Sequence, residues 1–285
     1  MSLLKSTLQK GGGSLPPLSL PPRGPGPRGR RQMSFEPIDW NKYFSESDKV
    51  EWDECSFRTY RCGSHEASLL VVLLHGGGYC GLSWAIFASE LTKRVSVDCL
   101  AIDLRGHGDT TSPNDEDLSE ATMCEDIGRI VNMVKDKKSN NGTKVSSVVL
   151  VGHSMGGALA VRVAAKQLIE DISGVVVIDV VEGTAVEALS GMQTVLKSRP
   201  KTFPSVEAAI QWACKTGQTR NLEAARVSMP GQVIKSEGVI CCESESEPVS
   251  HQVTSQKLGE ISEEGEEEEV HKPYVSLFDA LFSVH

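Results

Sequence analysis

The chain has 285 residues, of which 39% are hydrophobic and 24% charged, and its formal net charge is −9 at pH 7. This length and apolar content suffice for one large α/β domain with its own core. The acidic balance argues against nucleic acid as a partner. No apolar run approaches the roughly 20 residues of a membrane-spanning helix, so we expect no membrane partner either.

The cysteines point to an intracellular protein. None forms a C-x-x-C pair or stands at metal-ligand spacing from a histidine, so we expect no metal and no cofactor. Several lie in apolar segments, which is typical of reduced core thiols. No apolar stretch of signal-peptide length occurs near the N-terminus, so the predicted location is cytoplasmic, nuclear or both. The eight cysteines are Cys55, Cys62, Cys80, Cys99, Cys124, Cys214, Cys241 and Cys242.

Residues 1–33 form a basic arm that is rich in glycine and proline and contains no acidic residue. Such a segment cannot bury enough apolar area to offset the entropy of ordering it, so we expect disorder. A transit peptide is a weaker alternative, because the prolines oppose the amphipathic helix that it needs.

The core is predicted to begin with two short antiparallel strands in 48–62 and a buried parallel strand at 69–74. This third strand runs into His75-Gly-Gly-Gly. An HGGG run after a strand is where many serine hydrolases place one backbone N–H of the oxyanion hole. Gly77 and Gly78 are both candidate donors, and the sequence leaves the choice open. A plain tight loop is the alternative.

A second polar loop follows the next predicted strand, Asp98 to Leu104. His107 in this loop precedes the candidate nucleophile described next, whereas the chain order of such sites is serine, acid, histidine. We therefore expect Arg105 and His107 to brace loops rather than to carry out chemistry. A helix from Leu118 to Lys138, N-capped by Ser119, leads to the next strand.

The most informative stretch is VSSVVLVGHSMGGALA at 145–160. A β-branched run precedes a G-x-S-x-G motif, and small residues that favour a helix follow it. Glycines at 152 and 156 permit a sharp turn that lifts the Ser154 hydroxyl above the sheet edge in a strained conformation. The N–H of Met155 then points to where an oxyanion would form. The alternative is an ordinary glycine-rich turn.

Asp179 ends the next predicted strand, GVVVIDV at 174–180, which we expect to be buried. An aspartate among Val and Ile is costly unless its charge has a partner. At this sheet edge it can orient and balance an imidazolium. The alternatives are a loop-capping role for Asp179, or Asp103 or Glu182 as the acid.

Four further regions are predicted. Residues 34–183 form the core, and 184–235 form a helical cap with Phe203 and Trp212 as packing anchors. Residues 236–270 contain a glutamate block and are expected to be disordered. Residues 271–285 form a short apolar tail.

The motifs together resemble the protein phosphatase methylesterases, which have an α/β-hydrolase fold. The resemblance covers roughly residues 34–275, and the 198–233 stretch is not generic to hydrolases. The matching segments are LLHGGGY at 73–79, GLSWAIF at 81–87, LRGHG at 104–108, VGHSMGGALAV at 151–161, VIDVVEGTAVEAL at 177–189 and SRPKTFPSVEAAIQWACKTGQTRNLEAARVSMPGQV at 198–233.

This resemblance implies a mostly parallel sheet with a helical cap, and a serine carboxylesterase. Its substrate would be the methyl ester on the C-terminal leucine of the protein phosphatase 2A catalytic subunit, which would also be the partner. By motif match Ser154 is the nucleophile and Asp179 the acid. An inactive phosphatase-binding module and a general small-ester hydrolase are the alternatives, and the cap sequence argues against the latter.

The resemblance fails at the catalytic histidine. The family's base follows a later strand, and we identify none here, since His251, His271 and His285 are the histidines after Asp179. We read the chain as C-terminally truncated, with the last strands and helices missing. The strand of Asp179 is then expected to be an exposed edge, and the esterase nearly inactive.

Overall fold

A computed structural model describes residues 33–179, 200, 202–236 and 239–242. The chain divides into two units, Met1–Ser34 and Phe35–His285, and the fold described below is that of the second. Several sequence predictions lie outside the described residues. They are the basic arm up to residue 32, Glu182 and residues 184–199 of the cap, and the acidic segment from 243 onward together with the tail.

A six-stranded sheet is the centre of the fold, with strand order β1-β2-β4-β3-β5-β6. The β1–β2 and β2–β4 pairs are antiparallel, whereas β4, β3, β5 and β6 run parallel. The parallel strands therefore end at one common edge, where ligands bind in open α/β sheets. The strands are β1 Glu46–Trp52, β2 Cys55–Gly63, β3 Leu69–Leu74, β4 Asp98–Ile102, β5 Ser147–His153 and β6 Ile172–Ile178.

Helices cover both faces of the sheet. On one face α2 and α3 supply Ile127 and Leu159 to a large apolar core. On the other face α1 contributes Ala85 and Ala88 to a second core. Because both faces are covered, β3 is continuously apolar, and β4 is apolar after its first residue, rather than alternating. The helices are α1 Ala85–Thr92, α2 Glu120–Asn140 and α3 Met155–Ala165.

The start of α2 confirms the predicted N-cap. The hydroxyl of Ser119 accepts a hydrogen bond from the Thr122 amide at 3.4 Å, which satisfies one of the amides left without an intrahelical acceptor. A strand predicted to run to Leu104 ends instead at Ile102, and Asp103 begins the loop.

A buried ion cluster secures the edge of the sheet opposite the common strand ends. Asp98 is fully buried at the first position of β4, and its Oδ2 lies 2.5 Å from both Arg61 and Lys138. Lys138 also donates to the carbonyls of His65 and Ala67. Two cations compensate one buried carboxylate, which the interior otherwise disfavours, and the carbonyls accept the remaining donors of Lys138.

Strand β6 is more exposed than the sequence predicts, whereas its pairing confirms the predicted edge position. Its apolar run was expected to be buried, yet the side chains of Val175 to Ile178 are 36–46% exposed. The pattern suggested burial because a continuous apolar run is typical of a strand covered on both faces. As the expected edge strand, however, β6 pairs only with β5 among the described strands.

The described part of the region predicted as the cap, called the cap below, combines two helices, α4 Val206–Thr216 and α5 Leu222–Ser228, with a small antiparallel sheet of order β7-β9-β8. Phe203 and Trp212 are packing anchors as predicted, with ring centroids 5.6 Å apart. Strand β9 lies beyond residue 235, where the sequence predicted no ordered structure. The strands are β7 Thr202–Phe203, β8 Val233–Ser236 and β9 Val239–Cys242.

The segment before β1 ties the cap to the core. The Ile38 amide donates to the carbonyl of Arg226 on α5 at 3.0 Å. Lys42 and Tyr43 both donate to a Glu223 carboxylate oxygen at 2.6 Å. These contacts place α5 against the helical turn at 81–84, next to the loop that follows β3.

The six cysteines whose side chains the structure describes form no disulfide among themselves. Cys62, Cys99 and Cys124 are buried. Burial raises the pKa of Cys124 to about 11, so its thiol stays protonated and behaves as a small apolar side chain.

Candidate active site

Ser154 lies at a strained turn between β5 and α3. Its backbone has φ 49° and ψ −117°, a combination that side chains other than glycine rarely adopt. The Ser154 amide donates to the carbonyl of Ile178 at 2.9 Å, which fixes the turn against the end of β6. The structure thus confirms the predicted sharp turn and its sparsely populated conformation.

Two glycines allow this turn because no side chain fits at either position. A Cβ on Gly152 would lie 2.2 Å from the carbonyl oxygen of Gly156. A Cβ on Gly156 would lie 2.4 and 2.5 Å from the carbonyl oxygens of Leu74 and His75. The G-x-S-x-G spacing therefore reflects the close approach of α3 to the ends of β3 and β5.

The N-terminus of α3 presents unused amides beside Ser154. Gly157 and Ala158 already donate to the Ser154 carbonyl at 2.9 and 3.1 Å. As the first residue of α3, Met155 has no intrahelical acceptor for its N–H. The helix dipole adds partial positive charge there, so the Met155 amide is suited to stabilise a developing negative charge.

The glycine loop after β3 packs directly against the serine. A Cβ on Gly76 would lie 3.3 Å from the Ser154 Cβ and 2.8 Å from Nδ1 of His153. Gly78, at φ 71°, donates its amide to Nε2 of His107 at 3.0 Å. Of the two predicted donors, Gly78 therefore already has an acceptor, and the contacts favour Gly77.

His75 and His107 are both buried and neutral. Nδ1 of His75 lies 2.8 Å from the Gly76 carbonyl, and its Nε2 accepts the Leu104 amide at 3.0 Å. Burial is the main cause that lowers the pKa of each imidazole, well below its usual value for His75. The two rings meet edge to face, 5.0 Å between centroids.

Arg105 and His107 brace the second loop, as predicted. The Arg105 guanidinium makes two bonds to Asp126, at 2.7 and 2.8 Å, and also donates to Ser112. The Asp126 carboxylate raises the pKa of Arg105 further. A bidentate, buried pair of this kind fixes the loop more firmly than a single surface ion pair.

Asp103 has a structural role at the base of the same loop. It accepts from the amides of Gly81 and Asp109 at 2.6 and 3.0 Å. Burial raises its pKa to about 7. Gly108 lies so close that a Cβ there would be 2.1 Å from the carboxylate. These contacts occupy the carboxylate and weaken Asp103 as an alternative triad acid.

Asp179 lies at the same sheet edge as Ser154, immediately after β6. It has φ 55°, and its side chain is 79% exposed. Its Oδ2 lies 4.0 Å from Nε2 of His153. The His153 ring also packs edge to face against the Tyr79 ring, with 5.7 Å between centroids. Sequence analysis did not single out His153, although its place directly before Ser154 puts it at this edge.

The described residues contain neither a candidate metal site nor a candidate membrane-spanning helix. Among them, no three His, Cys, Asp or Glu side chains are grouped so that they could hold a metal ion. No helix in that part of the chain is both long and apolar enough to cross a membrane.

Comparisons with known proteins agree on one group of relatives. Protein phosphatase methylesterase 1 of Mus musculus is 48% identical over 220 residues, which are 76% of this chain and 54% of that protein. A probable protein phosphatase methylesterase 1 of Dictyostelium discoideum is 36% identical over 70% of this chain and 68% of that protein. The chain thus spans about half the length of the mouse relative.

Solved structures agree on the fold. The crystal structure of E-2-(acetamidomethylene)succinate hydrolase has a TM-score of 0.56 and 20% identity, and covers 69% of this chain and 68% of that one. The model of the alpha/beta hydrolase family matches residues 71–235, more than half of the sequence. This match and the strained turn at Ser154 show that the chain belongs to the alpha/beta hydrolase family. The relatives named above are protein phosphatase methylesterases.

Proposed function

We propose that the site belongs to a serine carboxylesterase that removes the methyl ester from the C-terminal leucine of the protein phosphatase 2A catalytic subunit. The main observation that supports this type of reaction is the strained backbone of Ser154, which lies between the N-terminus of α3 and the Gly76 backbone. The names of the relatives support the substrate and the partner.

In this proposal the Ser154 oxygen attacks the ester carbonyl carbon as its proton passes to a base. The amides of Met155 and Gly77 stabilise the resulting oxyanion. The tetrahedral species expels methanol, and water then cleaves the acyl-enzyme. Asp179 is the group that balances the charge of the protonated base.

The described residues do not supply that base. Each of His75 and His107 bonds the backbone through both ring nitrogens. Within the described part of the chain, no imidazole nitrogen is hydrogen-bonded to the Ser154 hydroxyl, although His153 lies beside Asp179. We therefore propose that the 285-residue chain turns the ester over very slowly.

The second candidate function is phosphatase binding without turnover. The described residues include the turn at Ser154, the glycine loop and part of the cap but supply no base, and this combination favours it. Binding of the phosphatase tail needs the cleft alone, whereas turnover needs a proton acceptor as well.

One pair of assays separates the two candidates. A fluorescent peptide with the phosphatase C-terminal sequence and a methylated leucine is titrated with the chain, and methanol release is followed in parallel. Peptide binding with methanol release equal to that of Ser154→Ala supports the binding module. Methanol release above that of Ser154→Ala supports the esterase. Absence of both peptide binding and methanol release excludes this substrate.

We also propose that the protein is located in the cytoplasm, the nucleus or both. The free cysteines of the described residues support a cytoplasmic or nuclear location, since free thiols are typical of reducing compartments. Imaging of a fluorescently tagged chain tests it, and a secreted or membrane-associated signal would contradict it.

A further inference from the structure

We propose that His75 and His107 are positioning residues that set the direction of the Gly77 N–H, the amide assigned above to the oxyanion hole. The inference rests on the proposed function for the role of that amide. Its structural basis, a reciprocal pair of histidine-to-backbone contacts between two loops, is independent of any activity.

The two loops exchange histidines. His75 follows β3, and its Nε2 accepts the amide of Leu104, which follows β4. His107 lies in the loop after β4, and its Nε2 accepts the amide of Gly78, which follows β3. Each imidazole therefore belongs to one loop and accepts a hydrogen bond from the backbone of the other.

The contacts fix the protonation of both rings. A carbonyl oxygen only accepts, so Nδ1 of His75 must donate to Gly76 and Nδ1 of His107 must donate to Arg105, each at 2.8 Å. A backbone N–H only donates, so both Nε2 atoms must carry a lone pair. Both histidines are consequently neutral with the proton on Nδ1.

Peptide geometry carries this constraint to Gly77. The carbonyl of Gly76 and the N–H of Gly77 belong to one planar trans peptide, so they point in opposite directions. His75 holds that carbonyl at 2.8 Å, and the Tyr79 amide also donates to it at 3.2 Å. Rotation of this peptide, which is otherwise easy next to glycine, would break both bonds.

His107 secures the other side of Gly77. It holds the Gly78 amide from a loop that is itself fixed, since Arg105 bonds Asp126 twice and Thr110 donates to the Asp103 carbonyl at 2.6 Å. The residue on each side of Gly77 is thereby bound to a buried histidine. An oxyanion donor is effective when its direction is set before the reaction.

Side-chain nitrogen NMR on the 285-residue chain tests the protonation directly. We expect both rings to give the pattern of an Nδ1–H tautomer at pH 7. An Nε2–H tautomer or an imidazolium at either ring would overturn the proposal. This measurement needs no variant and no substrate.

Amide hydrogen exchange tests the role of His107. In His107→Leu, which lacks an acceptor, exchange at Gly78 should accelerate about tenfold or more while the amides of β5 stay unchanged. His107→Gln places its Oε1 near the position of Nε2 and should restore slow exchange. Unchanged exchange in His107→Leu, or no difference between the two variants, would contradict the proposal.

An assay of ester hydrolysis separates this inference from the proposed function. Ester hydrolysis should lose kcat at unchanged KM in His107→Leu and regain it in His107→Gln, since the amide acts on the transition state. If no variant hydrolyses the ester while the exchange pattern holds, the proposed function fails and the positioning of the loop stands. Equal kcat in both variants would show that the loop geometry does not govern the reaction.

Discussion

The two sides of the candidate site differ in how firmly they are fixed. On the side of the proposed nucleophile, called the nucleophile side below, Ser154 lies between two glycines that admit no side chain and a loop held by two buried histidines. On the acid side, Asp179 is 79% exposed and follows a strand whose apolar residues face solvent. The first side is set by contacts within the described core, whereas the second has few partners there.

This difference indicates where the fold can store strain. A residue in an unfavourable backbone conformation persists only when its surroundings determine it. Ser154 meets that condition through the packing of α3 on β3 and β5. Asp179 also has a positive φ, but its 4.0 Å contact with His153 is exposed and weak. The nucleophile geometry is therefore expected to be independent of the acid.

Matched glycine substitutions give the largest expected contrast between the two sides. Gly156→Ala forces a Cβ to within 2.4 Å of backbone, so we expect a loss of about 3 kcal/mol or more in unfolding free energy. Gly174→Ala on β6 meets nothing closer than 3.6 Å and should change it by less than about 1 kcal/mol. Urea unfolding measures both, and equal losses would remove the contrast.

The pH dependence of stability should come mainly from the nucleophile side. The pKa values of His75 and His107 are lowered in the fold, so the unfolded chain binds more protons, and stability is lost as pH falls below about 6.5. The slope approaches about 1.4 kcal/mol per pH unit for each histidine that is protonated only when unfolded.

Asp103 opposes this trend in part. Its pKa rises from 3.8 to about 7, so its contribution is present below pH 3.8 and is lost as pH rises through 7. Between pH 7 and pH 5 the two histidines and the carboxyl therefore act on the unfolding free energy in opposite directions. His107→Gln should lose less unfolding free energy than the unsubstituted chain between pH 7 and pH 5, and an equal or greater loss would exclude His107 as a source of the pH dependence.

Relief of strain at the nucleophile is the next effect in size. Ser154→Gly should be more stable than Ser154→Ala by about 1 kcal/mol, since glycine tolerates φ 49° and alanine does not. Thermal unfolding of the two variants measures the difference. Equal stability would mean that the turn relaxes when the serine is removed.

The smallest effect on stability is expected at β6. Val176→Lys should change unfolding free energy by less than about 0.5 kcal/mol, because the side chain is 46% exposed. The same change should reduce self-association, since charges protect open sheet edges from pairing. Sedimentation shows the second effect, and a large loss of stability would reveal that β6 is covered in solution.

Local patterns predicted much of the fold, and long-range contacts account for what they missed. The strand at Leu69–Leu74, the Ser119 cap and the turn at Ser154 follow from neighbouring residues. The link between His75 and His107 joins residues 32 positions apart, so no local pattern contains it.

The exposure of β6 was also beyond local reasoning. Burial of a strand depends on what packs against it, and the residues Val175–Ile178 look the same in a covered strand and in an open one. The closeness of His153 to Asp179 depends on the pairing of β5 with β6 and on the turn after each strand.

The central proposal is that Ser154 is a preformed nucleophile for which the described residues supply no base, and the rate at which Ser154 reacts with a fluorophosphonate tests it most directly. The account predicts one adduct, absent from Ser154→Ala, that forms on the order of 10⁴-fold more slowly than in an esterase with a complete triad. Its rate should not titrate between pH 5 and 8. A fast reaction with a histidine-like titration would contradict the account and identify an imidazole base, whereas no adduct would exclude Ser154 as the nucleophile.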